Sequence, residues 1–203
     1  AIDLDPSLSD AHAYLSICGA FELFHFTVQD PQKTLETMIT DGRKAEALNP
    51  ENPMAHTAIA TAYMLRGEHS TACEHAQRAV RFNPSFAVSY LGLAGAQVHS
   101  GDYQQGEISI LKAFELSPTD PELTNFFHAK AEALLGQGKY EEALEAIEQA
   151  LFRNPDGGAL LGFRATVLGH LEITAEAKAA LDRYLTLRPN LKTRAQYRRI
   201  FIP

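Results

Sequence analysis

Residues 53–86, PMAHTAIATAYMLRGEHSTACEHAQRAVRFNPSF, decide how the whole chain is read. Apolar residues recur at helical spacing on both sides of Arg66-Gly67, and that dipeptide breaks the pattern. Asn83-Pro84 closes the second half, because proline cannot continue a helix. The stretch is therefore two short amphipathic helices folded against each other. Ala60, Ala72 and Ala79 stand where the two must approach closely, and Tyr63 fills the gap between them.

Working outward, the same punctuation recurs at Asp5-Pro6, Asn49-Pro50, Asn83-Pro84, Ser117-Pro118, Asn154-Pro155 and Arg188-Pro189. The prolines are 44, 34, 34, 37 and 34 residues apart. A helix–turn–helix unit with a 34-residue period, small residues at the contact, an aromatic and a terminal proline resembles the tetratricopeptide repeat family. The resemblance spans nearly the whole chain and implies an all-α, right-handed solenoid. In this register the units are 7–52, 53–86, 87–120, 121–157 and 158–191. Residues 1–6 match the end of a second helix, as Ala113–Pro118 does, so the chain is expected to be part of a longer protein.

The composition agrees with a folded domain: 45% hydrophobic and 21% charged residues. Two cysteines, Cys18 and Cys73, make no disulfide framework and favour a reducing, cytoplasmic setting. No apolar run is long enough to cross a membrane. The net charge of −7 is uneven, since residues 188–203 carry five basic side chains and no acid. The remaining thirteen basic residues face twenty-five acids, a balance that argues against nucleic acid as a partner. The basic tail either docks on an acidic surface or is simply solvated.

Along the chain, the first unit is the deviant. Its ten extra residues lengthen both helices, and the elbow between them is oily: Phe21, Leu23, Phe24, Phe26 and Val28. Those side chains form either a small satellite core or a contact for a partner, with Phe21, Phe24 and Phe26 the candidates. In the third unit Gly92, Gly95 and Gly106 fall inside helices, each at a cost of up to about 1 kcal/mol against alanine, which suggests close helix approach or a flat surface. The fourth unit carries an extension, Pro121–Leu123, expected to lengthen its first helix. Its second helix, GKYEEALEAIEQALFRNP at 138–155, is the best match to the repeat. The fifth unit uses Ala165, Leu168, Ala177, Leu181 and Tyr184 in the same slots. Residues 192–203 read as a helix capping the last unit through Tyr197, Ile200 and Phe201, since an end repeat otherwise exposes an apolar face.

Reactive chemistry is thinly signalled. The sharpest metal-like cluster is His69, Cys73, Glu74 and His75, with His69 and Cys73 on one helix face. His69, however, fills the slot of Tyr103 and Tyr140 in the next units, and no second pair completes a tetrahedral set. No metal, cofactor or catalytic residue is assigned. There is no nucleophile elbow, no Walker loop and no His-Glu-x-x-His. Glu141, Glu142 and Glu145 read as a solvated helix face.

Function is then expected on the surface that stacking creates. In tetratricopeptide arrays the first helices line a concave groove, and the resemblance places Ile17, Met54, Thr57, Thr61, Met64, Val88, Leu91, Val98, His128 and Leu135 there. The lysines and arginines that clamp a carboxylate tail in part of the family are missing from these positions. A groove of small and apolar residues suits an amphipathic helix or an extended apolar segment; the alternative is a superhelix so tight that the groove fills itself. The long first unit, the junction LNPENPMAH and the ending LGHLEITAEAKAALDRYLTLRPN…YRRIFIP also resemble the C-terminal arrays of bacterial class III adenylate or guanylate cyclases and winged-helix transcription regulators. Three readings follow: a non-catalytic scaffold for a protein or peptide segment, a regulatory arm whose partner is its own upstream domain, and a homodimerisation module.

Overall fold

The computed structural model describes residues 2, 4–25, 28 and 30–187. Among them are ten helices and no strand: α1 Ser9–His25, α2 Pro31–Leu48, α3 Pro53–Leu65, α4 His69–Phe82, α5 Ala87–His99, α6 Tyr103–Leu116, α7 Leu123–Gly136, α8 Tyr140–Arg153, α9 Gly158–His170 and α10 Thr174–Thr186. None is long and apolar enough to cross a membrane. Residues 192–203, the expected capping helix, lie outside the described residues, as do Phe26 and the side chain of Phe24 at the elbow.

Local chemistry sets the helix ends. Asp30 and Asn52 cap α2 and α3, each followed by a proline whose fixed φ and missing N–H suit the first helical position. The turns of the second to fifth hairpins share one closure. In the second hairpin Glu68 N–H reaches back to the Tyr63 carbonyl, and Gly67 N–H bonds Met64. The same pair of bonds recurs at Asp102 and Gly101, at Lys139 and Gly138, and at Ile173 and Glu172. This closure needs a left-handed residue, with φ of 81°, 89° and 76° at the three glycines and 60° at Glu172.

Each odd helix pairs with the even helix after it, and the odd helices α1, α3, α5 and α7 also stack on one another. The first hairpin is longer, with helices of 17 and 18 residues against 13 or 14 elsewhere, about one extra turn each. Helix α3 is packed by α1, α2, α4 and α5, which is why Met54 to Ala60 are all buried. The interior glycines mark close approach. A Cβ on Gly106 would lie 2.6 Å from Val98 Cγ2 and 3.3 Å from the Ala94 carbonyl, and one on Gly92 would lie 3.0 Å from Thr57 Cγ2.

Two local expectations are corrected. Pro121 and Glu122 form a turn, with Asp120 Oδ1 accepting from Glu122 N–H, so α7 begins only at Leu123 and gains a single residue over α5. Leu181 is exposed, and the inward slots of α10 are held by Ala180 and Tyr184.

Candidate functional site

The inner face is built from α1, α3, α5, α7 and α9, and α1 also comes within contact of α9, so the row of first helices curves back on itself. Ile17, Thr61, Met64, Val88, Leu91, His128 and Leu135 are partly exposed, whereas Met54, Thr57 and Val98 are buried behind them. Ile17 and Val88 pack on Met54, Ala55 and Ala58, joining α1, α3 and α5 into one apolar wall. Met64 rests against the helix backbone of α5, its Sδ 3.2 Å from where a Gly95 Cβ would lie. Thr57 donates to the Pro53 carbonyl at 2.9 Å and stands 3.3 Å from Ser89 Oγ. His128 meets the Phe163 ring edge-on at 5.3 Å, bridging α7 to α9. Phe21, near the elbow, is exposed, as are Tyr14, Leu15 and Cys18 further back along α1.

A second constellation sits behind that wall and is polar. His56 on α3 and His75 on α4 are buried with their rings stacked 5.2 Å apart, and their Nδ1 atoms are 3.0 Å apart. His56 Nε2 is 2.8 Å from the Pro50 carbonyl, which can only accept, so Nε2 carries the proton and Nδ1 offers a lone pair. His75 Nδ1–H then donates to His56 Nδ1. Glu46 of α2 brings Oε1 to 3.8 Å from His56 Nδ1, while its Oε2 accepts from Arg43 Nη1 at 2.7 Å. Arg78 stands 3.9 Å from Glu46 Oε1, and Arg43 also donates to Tyr63 Oη at 3.2 Å. Phe82 and Tyr63 wall the two imidazoles.

Electrostatics separate the partners. Burial, reinforced by the Arg43 charge, pushes His75 down to about 4, so it is neutral at pH 7. Burial is the largest influence on Glu46 and alone would raise it, but the Arg43 hydrogen bond and charge, together with the neighbouring histidines, outweigh burial and hold the carboxyl below its ordinary value.

Of the sequence cluster His69, Cys73, Glu74 and His75, only His75 joins this group. His69 faces His99, and Cys73 is half-buried in the α3–α5 core. Sequence reading missed Glu46 and His56 because the three ligand-type residues come from three helices rather than one face. One signal was available: a histidine six residues after the proline in each of the first two units. His12 repeats the bond, with Nε2 3.1 Å from the Pro6 carbonyl, but its Nδ1 has no partner.

With that geometry in place, likeness to known proteins becomes informative. Residues 128–191 match the tetratricopeptide repeat family model. A small glutamine-rich tetratricopeptide repeat-containing protein 2 of Mycosarcoma maydis is 32% identical over 91 residues, 45% of this chain; the match spans only 26% of that relative's length. A thermophilic TPR protein of Thermus thermophilus superposes with a TM-score of 0.73 at 17% identity, over 96% of this chain and all of the other. YrrB, described as a TPR protein with an unusual peptide-binding site, gives 0.55 at 16% identity over 94% and 91% of the two chains.

Proposed function

We propose, from the premise that this chain is a tetratricopeptide-repeat array, that its inner face is a groove for an apolar segment of a protein partner. The observation that carries this is the row of partly exposed side chains Ile17, Thr61, Met64, Val88, Leu91 and Leu135 on successive first helices. On α9, Gly169 is exposed, and nothing lies within 4 Å of its Cβ direction, which leaves open room at that end of the row. The peptide-binding site ascribed to YrrB, a neighbour in fold, supports the same reading. The approach of α1 to α9 favours an extended segment over a helix. A helix with its side chains is about 10–12 Å across in every direction, while an extended strand is about 5 Å across along its hydrogen-bonding edge and about 10 Å only where its side chains point. Methionine adds adaptability to an irregular ligand.

The test is selection of binders from a displayed library of random peptides, followed by hydrogen-exchange mapping. Expected are apolar, extended sequences that protect α3, α5 and α7. Their binding should be lost in the Met64→Glu, Leu91→Glu double variant while its helical circular dichroism is kept. Peptides that protect only the outer helices, or that bind the folded double variant equally well, would move the site elsewhere.

A further inference from the structure

The polar cluster behind the inner wall has no part in gripping a peptide, and its atoms are arranged for something else. We propose that Glu46, His56 and His75 form a binding site for one borderline divalent cation, with Zn²⁺ the best match. Each residue offers one ligand atom, and the three atoms lie within 4.8 Å of one another. Zinc takes imidazole nitrogen and carboxylate oxygen at about 2.0–2.2 Å in a tetrahedron, which sets ligand atoms roughly 3.3 Å apart. The observed separations of 3.0 Å between the imidazoles and 3.8 Å from His56 to Glu46 bracket that edge.

The surroundings supply what a ligand set of this kind requires. The Pro50 carbonyl fixes His56 in the tautomer whose Nδ1 is free to coordinate, the role an outer partner plays for metal-bound histidine. Arg43 orients Glu46 through Oε2 and leaves Oε1 turned toward the imidazoles. On binding, His75 moves its proton from Nδ1 to Nε2, so both rings coordinate as neutral groups and no proton is released. Two histidines and one glutamate leave a fourth position for water. Arg43 and Arg78 oppose the cation by charge, which places the affinity below that of an all-cysteine site.

The experiment uses the full 203-residue chain without a histidine tag, stripped with chelator and titrated with Co²⁺ as the probe, then with Zn²⁺ in competition. Expected are one Co²⁺ per chain with the d–d absorption of a four-coordinate ion, its displacement by Zn²⁺, and two shifted, exchangeable imidazole N–H proton signals. Zn²⁺ should also raise the melting temperature. His56→Gln and His75→Gln should each weaken uptake by about 100-fold or more, beyond the range seen for loss of an outer partner, while His69→Gln leaves it unchanged. Absence of stoichiometric uptake by the unmodified chain would show a purely structural histidine pair. Uptake retained in a folded His56→Gln, His75→Gln variant would place the metal elsewhere. Either result overturns the assignment, and neither bears on the groove.

Discussion

Replacing Asn52 tests how the first hairpin is fastened to the second. Its Oδ1 accepts from the N–H groups of Met54 at 2.9 Å and Ala55 at 3.4 Å, capping α3. Its Nδ2 donates at 2.7 Å to both Ser9 Oγ and Asp10 Oδ1 on α1. Ser9 in turn donates to the Ala45 carbonyl of α2, so one amide joins three helices. Asn52→Ala removes a cap, costing about 1 kcal/mol. It also removes two donated bonds, of which the one to exposed Asp10 is largely regained from water. The sum is roughly 2–3 kcal/mol, read as a lowered urea midpoint. Asn52→Asp keeps the capping oxygen but turns a carboxylate toward Asp10. At neutral pH it should cost at least as much as alanine, and it should recover relative to the unmodified chain as acid protonates the pair. An alanine cost under about 0.5 kcal/mol, or aspartate tolerated at neutral pH, would show that Asn52 does not fasten the two hairpins.

Two further outcomes can be measured on the same apparatus. Glu172 holds the left-handed turn position that glycine fills in the three preceding hairpins. Glu172→Gly should therefore raise stability by about 0.5–1 kcal/mol in thermal or urea unfolding, and a loss would show the strain is offset elsewhere. In chelator-treated protein, His75 takes up its proton in the unfolded chain near 6.5 but in the fold only at about 4, under the influence of burial, Arg43, Glu46, His56 and Arg78. Its depressed value makes the sign plain: stability is complete above pH 6.5, declines as pH falls toward 4, and is flat below. By about pH 4.5 the loss is roughly 2–3 kcal/mol, and His75→Gln should be free of that component. Parallel acid profiles for the two proteins would contradict it.

What could be read from residues alone follows from what is local. Asn-Pro pairs and turn glycines act within a few residues, so Asn83-Pro84, Gly67, Gly101 and Gly138 mark hairpin after hairpin by their own conformational preferences. Glu172 is the exception that spacing could not announce, because there the closure is imposed by the flanking helices against residue preference. Pro121–Leu123 misled in the other direction, since an Asp120 side-chain turn competes with extension of the helix. The inner-face positions come from family register, and their exposure depends on curvature, which is a property of summed small rotations between hairpins. The histidine–glutamate cluster was illegible for a related reason: Glu46, His56 and His75 sit on three helices, and only stacking makes them neighbours.

The meeting of α1 with α9 has a mechanical consequence. These helices are more than a hundred residues apart along the chain and touch only lightly, while the heavier contacts join elements that are close in order. A linear array behaves as a one-dimensional lattice, free to fray from either tip and to stretch like a spring. A clasp between distant hairpins couples the two tips, so that loosening one weakens the other. Pulled from its ends, this coil should part the light α1–α9 contact first, at low force, and only then load the heavier contacts within each hairpin.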